Sequence, residues 1–414
     1  MIDLRAARAD PDGFRAALAR KNADDMFDAL MEADARWREA NTRLEELRAE
    51  QKRLGKPSTP EEVERARALK AELKQADDEA TAAAGRQRDL WDRVPNPPDP
   101  SAPDGLTEED AVEIRTVGVP GTFATDPLDH LDLAAQLGWI DMERGARVSG
   151  SRFAYRMRDA ALIELALYRF ALDRLVAKGF VPVLPPVLVK ERAMYGTGFL
   201  PTDDVNLYYV ERDELYLTGT SEVALAGLHM EEILDELELP LRYTGYSTCF
   251  RREAGAAGKD TRGIFRVHQF DKVEMFSYTR PEDSAEEHEH LLAVEEELVA
   301  ELGIPYRVMD IAAGDLGPSA AKKYDIEAWF PGQGRYREIT SCSNTTDYQA
   351  RRLQIRYRSE QRQGPELVHT LNGTAMTARS LIAIIENFQD EGGQIAVPTV
   401  LEEFGAPRRA ELAL

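Results

Sequence analysis

Five basic side chains interspersed with glycines lie within residues 250 to 270, FRREAGAAGKDTRGIFRVHQF. Only two acidic residues, Glu253 and Asp260, accompany them. Arginine binds phosphate oxygens in a bidentate manner, and glycines let a loop approach a bound anion closely. The whole chain has a formal net charge of −22, so a cationic cluster here indicates a local anionic ligand. The basic residues of the cluster are Arg251, Arg252, Lys259, Arg262 and Arg266.

The residues on either side of the cluster alternate as the two strands of a hairpin do. The predicted strands are 246–253, YSTCFRRE, and 264–278, IFRVHQFDKVEMFSY. Side chains alternate between the faces of a strand. One face of the hairpin, which should pack on helices, contains Phe265, Val267, Val273 and Met275. The predicted functional face collects Arg251, Glu253, Arg266, His268, Phe270, Lys272 and Glu274.

That face combines groups suited to a nucleoside triphosphate and an amine-bearing second substrate. Arginines bind phosphate, an aromatic ring stacks on a base, and carboxylates bind an amine, a hydroxyl or a metal ion. The sequence has no GxxxxGK[ST] motif, and no GxGxxG follows a strand. The alternative interpretation of the hairpin is a surface ribbon held by salt bridges.

Composition narrows the class of protein. Apolar residues make up 43% of the 414 residues, and no apolar run is long enough to span a membrane. The first residues lack the apolar centre of a signal peptide. Two cysteines, Cys249 and Cys342, exclude a disulfide framework. We therefore expect a cytoplasmic protein with no membrane partner. The net negative charge argues against general nucleic-acid binding, but it leaves room for a local basic surface.

The N-terminal part predicts an antiparallel pair of long helices, at about residues 27–94. Thr59, Pro60 and Glu62 are typical of a helix start, and Gly55 of a helix end. Helices of about 30 residues would give an arm roughly 45 Å long. Two coiled-coil seams follow the 3-4 spacing, Leu30, Ala33, Trp37, Ala40, Leu44, Leu47, Gln51 and Leu54, and then Ala66, Leu69, Leu73, Ala76, Ala80, Ala83, Gln87, Leu90 and Val94.

This arm has two interpretations, a dimerisation coiled coil or a contact surface for a polyanion. Residues 26–94 carry 14 basic and 16 acidic residues, so the arm is nearly neutral within a strongly acidic chain. The candidate polyanion contacts are Lys52, Arg53 and Lys56 at the tip and Lys70 and Lys74 on the second helix.

A proline-rich stretch, 93–105, should end the arm and form a stiff linker. We predict an N-terminal domain over 1–105 and a catalytic domain over 106–414. Helical periodicity over 158–178, 222–238 and 283–302 alternates with short β-rich runs. The predicted fold class is α+β, an antiparallel sheet flanked by helices with an N-terminal helical arm.

The ordered motifs resemble those of seryl-tRNA synthetases, a family of class II aminoacyl-tRNA synthetases. FRREAG…RG…R…HQFDKVEM resembles motif 2, FVPVLPPVLV resembles the motif 1 of the dimer interface, and LNGTAMTARSLIAIIENFQ resembles motif 3. GTGFLP and TGTSE are similar to the serine-site segments, and REITSCSN to the metal-binding strand. The helical hairpin resembles the tRNA-binding arm of the family.

The resemblance implies a role for each matching residue in binding ATP with Mg²⁺. Arg251 would hold the α-phosphate and the serine carboxylate, and Arg266 the outer phosphates. Phe270 would stack on adenine, with Arg379 on the opposite side and near the γ-phosphate. Glu253 would face the adenine. The remaining implied ATP-binding residues are Arg252, Glu338, Ile339, Thr340 and Ser341, of which Glu338 and Ser341 would also hold Mg²⁺. Since these two are three residues apart, a regular strand would place them on opposite faces, so a bulge is required.

The resemblance also implies a serine site. The substrate ammonium would be bound by the segment Thr220, Ser221 and Glu222. The substrate carboxylate would be bound by Arg251. Glu274, Asn372 and Thr374 would recognise its hydroxyl. The implied partners are tRNA(Ser), where present also selenocysteine tRNA, ATP, L-serine and a second copy of the chain.

The implied function is the activation of L-serine with ATP and its transfer to the 3′-terminal adenosine of tRNA. One alternative is a related enzyme that loads serine on a non-tRNA acceptor, against which the arm argues. Another is a catalytically inactive coiled-coil binding protein, against which the complete set of charged site residues argues.

Overall fold

The computed structural model describes residues 1–254 and 263–410. Lys259, Asp260 and Arg262 of the basic cluster lie outside the described residues. The chain divides into two compact units, Met1–Pro98 and Asp99–Leu414. Residues 99–105, which the sequence prediction assigns to the N-terminal domain, bond to the second unit, where Asp99 N donates to Ala321 O at 2.8 Å. None of the helices in the described ranges combines the length and the apolar composition that a bilayer span requires.

The first unit contains the long helical hairpin. Gly55, with a φ of 61°, ends the first long helix, and Thr59 caps the second. The Thr59 hydroxyl accepts from the backbone of Glu62 at 3.2 Å, while the Glu62 carboxylate accepts from the backbone of Thr59 at 3.1 Å. This confirms the predicted helix start. The helices of the unit are α1 (Leu4–Ala9), α2 (Pro11–Ala19), α3 (Asp24–Leu54) and α4 (Pro60–Arg93).

Two apolar clusters hold α3 against α4. The outer cluster contains Leu44, Leu47, Leu69, Ala76 and Ala80. The inner cluster joins Leu30, Ala33, Leu90 and Val94 to α1 and α2. Gln51 of the predicted seam is exposed, so the seam is polar towards the tip.

A buried carboxylate stabilises the inner end of the hairpin. Asp34 is fully buried and accepts from Arg8 at 2.6 and 2.8 Å and from Gln87 at 2.6 Å. Burying a carboxylate is unfavourable unless it is paired and hydrogen-bonded. The pattern of apolar residues gave no indication of this group, because Asp34 lies beside the seam residue Ala33.

The second unit is α+β, as predicted. Its helices are α5 (His130–Leu137), α6 (Met142–Ser149), α7 (Asp159–Ala177), α8 (Glu191–Thr197), α9 (Glu222–Ala226), α10 (Ser284–Glu301), α11 (Tyr348–Leu353) and α12 (Ala378–Asn387). Its strands are β1 (Val112–Val117), β2 (Ile140–Asp141), β3 (Tyr155–Arg156), β4 (Val181–Val183), β5 (Leu188–Lys190), β6 (Tyr208–Val210), β7 (Leu215–Leu217), β8 (Ile233–Asp235), β9 (Leu241–Phe250), β10 (Gln269–Thr279), β11 (Tyr306–Asp310), β12 (Lys322–Phe330), β13 (Arg335–Asn344), β14 (Arg356–Arg358), β15 (Glu366–Leu367), β16 (His369–Thr377), β17 (Ile395–Ala396) and β18 (Arg409–Ala410).

An eight-stranded sheet forms the centre of this unit, in the order β1-β11-β12-β13-β16-β10-β9-β4. All neighbours are antiparallel except β4, which lies parallel to β9. Helices α7, α10 and α12 supply apolar residues to the core on one side of the sheet. The opposite face is covered in part by α9 and α11, which pack on Phe276 and Tyr278 of β10, and the rest of this face can build a site.

One long helix of the sequence prediction is wrong. The periodicity over 222–238 gives only α9, which ends before Gly227. Residues 233–235 form β8 instead, paired in parallel with β14. Glycine disfavours helix, and a distant strand partner overrides the local preference of the apolar residues that follow.

Candidate active site

One cavity of about 310 Å³ lies over β10, β13 and β16. Its wall includes residues from all three groups that the sequence assigns to ATP, the amino acid and the metal ion. Within the described chain, the assigned residues on the wall are Thr220, Glu222, Arg251, Glu253, Arg266, Phe270, Glu274, Glu338, Ile339, Thr340, Ser341, Asn372, Thr374 and Arg379. Residues separated by up to about 160 positions in sequence thus share one pocket because their strands are neighbours in the sheet.

Two assigned residues, Arg252 and Ser221, are not on this wall. The side chain of Arg252 is exposed, and its backbone N–H donates to Asn206 O at 2.9 Å. Ser221 is buried, and its hydroxyl shares a hydrogen bond with that of Ser247 at 2.6 Å. These positions favour a structural contribution from both residues.

The hairpin that carries the basic cluster is shorter than the sequence predicts. β9 ends at Phe250 and β10 begins at Gln269, so Arg251, Glu253 and Arg266 lie outside the strands. Glu253 has a φ of 53°, which a β-strand cannot accommodate. The alternation therefore holds for Phe270, Lys272 and Glu274 but fails before β10. Phe265 and Val267, expected on the helix-packed face, belong to the helix-packed core and also line the cavity.

Arg251 and Arg266 have defined partners at the mouth of the hairpin. Arg251 Nε donates to Gly219 O at 3.1 Å, and its guanidinium carbon lies 5.2 Å from the ring centroid of Phe270. Arg266 pairs with the carboxylate of Glu253. Both guanidinium groups are thus oriented by protein contacts on the cavity wall, which lowers the ordering cost of binding an anion.

Arg379 lies in the first turn of α12. The hydroxyl of Thr377 caps the helix by accepting from Arg379 N at 3.2 Å. The guanidinium carbon of Arg379 lies 4.7 Å from the ring centroid of Phe265. A helix N-terminus favours negative charge, so the fixed partial charge of α12 and the cation of Arg379 act in the same direction.

A β-bulge brings Glu338 and Ser341 to the same cavity. The register pairs Ile326 with Thr340 but Glu327 with Glu338, so Ile339 is the extra residue. The bulge that the sequence required is present. Arginine and lysine charges, chiefly Arg379 and then Lys323, overcome burial and hold the pKa of Glu338 well below its usual range. An ionised carboxylate and a hydroxyl are oxygen donors of the kind that Mg²⁺ prefers, so these residues fit the implied ion.

The other end of the cavity is buried and carries two carboxylates. Glu222 Oε1 accepts from Asn372 Nδ2 at 3.0 Å and from Gln349 Nε2 at 2.8 Å. Glu274 is 1% exposed, and its Oε2 accepts from Thr374 Oγ1 at 3.4 Å. A second bulge, at Ala375, sets Thr374 opposite Glu274 across the ladder. Two carboxylates and polar neighbours at a closed end are suited to a small ligand with an ammonium group and a hydroxyl.

Burial raises the pKa of both carboxyls, that of Glu274 to about 7. Lys272 and Arg251 oppose this effect at both groups. The closed end therefore contains two carboxyl groups whose ionised forms would be stabilised by a bound cation.

Several residues of the site were not assigned from the sequence. Lys272 lines the cavity and pairs with Glu274, and the strand alternation that places both on one face was a usable signal. Gln349, on α11, reaches Glu222 from a separate helix. Ile264, Phe265 and Val267 lie in an irregular segment, so no periodicity could identify them.

The five candidate polyanion contacts of the arm differ from its paired arginines, although Arg67 and Arg86 are also exposed and form no salt bridge within the described residues. Most arginines of the hairpin are paired, as Arg48 is with Asp77 at 3.1 Å and Arg65 with Glu72 at 2.7 Å. The candidates Lys52, Arg53, Lys56, Lys70 and Lys74 are exposed, and among the described residues they form no salt bridge.

The class of protein follows from comparison of each unit with known domains. Residues 208–388, which contain every residue of the cavity wall except Phe199, match the tRNA synthetase class II core domain (G, H, P, S and T). Residues 1–98 match the seryl-tRNA synthetase N-terminal domain. The second unit thus has a class II synthetase core, and the first has the domain that accompanies it in one branch of that class.

Full-length relatives define the family within this class. A serine--tRNA ligase of Thermobifida fusca is 52% identical over 412 residues, covering 98% of this chain and 97% of the relative. One of Streptomyces coelicolor is 50% identical over 416 residues, with the same coverage. The chain belongs to the serine--tRNA ligase family.

Two solved structures have the same fold. The seryl-tRNA synthetase of Pyrococcus horikoshii, complexed with ATP, has a TM-score of 0.93 at 40% identity and covers all of both chains. The cytoplasmic serine-tRNA ligase of Naegleria fowleri, in complex with AMP, has a TM-score of 0.87 at 35% identity and covers 98% of this chain and 96% of its own. These matches confirm the predicted fold class.

Proposed function

We propose that the chain activates L-serine with ATP and transfers the seryl group to the 3′-terminal adenosine of tRNA(Ser). The observation that carries the proposal is a single cavity with two chemically different ends. Arg251, Arg266 and Arg379 supply cations for a triphosphate, while Glu222 and Glu274 supply carboxylates for an amino acid. Two full-length relatives that are 52% and 50% identical in sequence are named serine--tRNA ligases.

The first step forms seryl-adenylate. A carboxylate oxygen of serine attacks the α-phosphorus of ATP, a P–O bond forms, and pyrophosphate leaves with the electrons of the broken bond. Such a displacement needs alignment and charge stabilisation rather than a protein nucleophile. Arg251 interacts with Glu222 and Glu274 as well as with Glu338, so it can hold the serine carboxylate and the α-phosphate together.

The second step transfers the seryl group to tRNA. The 3′-hydroxyl of the terminal adenosine attacks the carbonyl carbon of seryl-adenylate, and AMP leaves with the electrons of the mixed anhydride bond. Glu222 and Glu274 hold the seryl ammonium and hydroxyl throughout, because neither group changes in the reaction.

Mg²⁺ would be held by Glu338 and Ser341, which the bulge at Ile339 brings to one cavity. When bound, the ion would neutralise part of the charge of the triphosphate. Arg379 donates to Glu338, so an ion held by Glu338 and the guanidinium of Arg379 would act on one region of the substrate.

The arm is proposed to bind tRNA. Its five exposed candidate cations have, within the described part of the chain, no carboxylate to displace before they contact phosphate. We extend the proposal to selenocysteine tRNA, in cells that contain it. An acceptor other than tRNA would leave this surface without a role.

A homodimer is proposed from exposed apolar side chains around β4. Leu162 and Leu165 of α7 are 50% and 59% exposed, Val181 of β4 is 53% exposed, and Leu184 is 83% exposed. β4 is the last strand of the eight-stranded sheet, and these side chains form an apolar surface that a second copy would cover. A cytoplasmic location is proposed with it, in keeping with the free thiols of Cys249 and Cys342.

Two assays on one preparation test the activity. Serine-dependent exchange of pyrophosphate into ATP measures the first step, and charging of total tRNA measures the second. Both activities are expected. Exchange without charging would support the related enzyme with another acceptor, and the absence of both would support the inactive binding protein. Light scattering gives the mass of the particle, with a dimer expected.

A further inference from the structure

Lys272 is a buried lysine with a carboxylate partner at the closed end of the cavity. Its side chain is 7% exposed and that of Glu274 is 2% exposed. Its ammonium pairs with Glu274 Oε2 and lies 3.5 Å from Thr374 Oγ1. Lysine is rarely buried without a specific partner, so this placement indicates a defined role.

The contacts distinguish the two carboxylate oxygens of Glu274. Lys272 and Thr374 both bind Oε2, so within the described residues their contacts leave Oε1 as the oxygen that faces a substrate. A carboxylate held at one oxygen has a fixed plane, and its second oxygen therefore points in a fixed direction.

We propose that Lys272 is a positioning residue for amino-acid recognition, which holds Oε2 of Glu274 and favours the ionised form of this carboxylate, so that Oε1 accepts from the substrate. The inference rests on the proposed serine-binding role of Glu274. It adds a residue that acts through Glu274, with no direct contact to substrate required.

The charges around Glu274 explain why such a residue is needed. Burial, and then the neighbouring carboxylate of Glu222 on α9, raise the pKa of Glu274, which is about 7 with Lys272 and Arg251 in place. Lys272 is the larger of the two opposing cations, and Arg251, after β9, is the other. Glu295 of α10, which is also buried, interacts unfavourably with Glu274. Without Lys272, Arg251 would be the remaining opposing cation for both Glu222 and Glu274 among the described residues, and the neutral form of Glu274 would be favoured.

Substitution of Lys272 by methionine tests the inference, since methionine keeps the unbranched stem and removes the charge. The KM for serine in pyrophosphate exchange is measured between about pH 6 and about pH 8.5. Since the pKa of Glu274 is about 7 with Lys272 present, a rise of one pKa unit would lower its ionised fraction at pH 7 about fivefold, and we expect the KM for serine to rise by about that factor. The increase should shrink as the pH rises, because Glu274 then ionises without Lys272. The KM for ATP should change by less than about threefold, and K272R should recover part of the serine affinity.

Three further variants identify the cause of any effect. E274Q should raise the KM for serine at every pH, and K272M added to E274Q should have little further effect, because coupled residues are not additive. K178M is the matched control. Lys178 does not line the cavity, and its ammonium forms a salt bridge of 2.6 Å with Glu297. The KM values of K178M should therefore match those of the wild type.

The outcomes separate the two levels of the proposal. If E274Q raises the KM for serine but K272M gives the same increase at all pH values, the role of Lys272 is overturned. The same conclusion follows if K272M raises the KM values for serine and ATP equally, which would indicate a general collapse of the pocket. If E274Q leaves the KM for serine unchanged, the serine-binding role of Glu274 fails, and the inference fails with it.

Discussion

Arg379 Nη1 donates both to the backbone carbonyl of Glu338, at 3.0 Å, and to its carboxylate Oε2, at 3.1 Å. Arg379 is the proposed γ-phosphate contact, and Glu338 is a proposed metal ligand. Each group therefore neutralises the other on the cavity wall. Binding of ATP with Mg²⁺ would replace this pair by two others of the same type, so no charge would be left without a partner.

The first prediction concerns Glu338→Gln. This variant removes an anionic metal ligand and keeps a hydrogen-bond acceptor for Arg379. Losing even an outer-shell partner typically costs about 10- to 100-fold in metal affinity, so the Mg²⁺ concentration for half-maximal exchange should rise by at least about tenfold. A titration of exchange rate against Mg²⁺ checks this. An unchanged titration would remove Glu338 from the metal site.

The second prediction concerns Arg251→Ala. The variant loses a donor that would strengthen as charge develops at the α-phosphate, and kcat for exchange should fall by about 10² to 10³. The fold should survive, since the variant removes a single hydrogen bond to the protein, that to Gly219 O. Arg212→Ala, at an exposed turn, is the matched control and should retain wild-type kcat. If Arg251→Ala keeps most of its exchange activity, the phosphate site is placed wrongly.

The third prediction concerns the choice between amino acids. A site with buried groups for a substrate hydroxyl leaves them unpaired when alanine binds, so kcat/KM for alanine should be lower by about 10⁴. Rejection of threonine depends on the space for one methyl group and should be weaker. Adenylation assays with the three amino acids test this. Similar values for alanine and serine would contradict the roles of Glu274 and Thr374.

The fourth prediction concerns the arm. Removing residues 42–79 and closing the gap with a Gly/Ser turn deletes all five candidate tRNA contacts. It keeps the bond between Asp34 and Gln87 and the inner apolar cluster, so the remaining part of the first unit should fold. Exchange should persist, and charging of tRNA should collapse. Undiminished charging would instead favour the dimerisation or stability role of the hairpin.

Salt dependence gives a second measurement on the same surface. Each phosphate contact that a variant removes should reduce the slope of log affinity for tRNA against log salt by about 0.7 to 0.9. Lys70→Gln with Lys74→Gln should reduce it by about twice that amount. The paired Arg48, replaced by Gln, is the control, because its charge is already matched by Asp77.

The fifth prediction concerns Glu295 and pH. This residue is 0% exposed, neither carboxylate oxygen makes a hydrogen bond of normal geometry within the described chain, and burial raises its pKa well above the ordinary 4.5. The folded state then binds a proton that the unfolded state releases, so this group lowers stability as the pH rises above about 4.5. Glu295→Gln cannot ionise, and its melting temperature should fall less between about pH 5 and about pH 8 than that of the wild type. Parallel pH profiles would show that Glu295 is not the source.

Regular elements were predictable because local patterns determine them. The two seams, Gly55 and the Thr59 capping box predicted the hairpin, and helical periodicity predicted α7 and α10. Asp34 and β8 were not predictable, since each depends on a distant partner, Gln87 in one case and β14 in the other. Apolar spacing contains no information about either contact.

In the site, too, the features set by local patterns were predictable, and those set by distant contacts were not. Phe270, Lys272 and Glu274 share a face because β10 is regular there, and the bulge at Ile339 was required by the spacing of Glu338 and Ser341. The segment 264–268 is irregular, so alternation predicted the core packing of Phe265 and Val267 but not their place on the cavity wall. Which assigned residues meet across strands depends on the order of the sheet, which no local pattern specifies.

The pairing of the first strand of the sheet has a consequence for biosynthesis. β1 (Val112–Val117) pairs with β11 (Tyr306–Asp310), which the ribosome synthesises almost 200 residues later. At a synthesis rate of about 5 to 20 residues per second, β1 would wait roughly 10 to 40 s for its partner, with its backbone groups unpaired. The contacts that hold the arm together lie within the first 98 residues, so the arm can fold meanwhile, since contacts of shorter sequence separation form faster. The nascent chain should therefore present a finished helical hairpin well before the catalytic sheet closes.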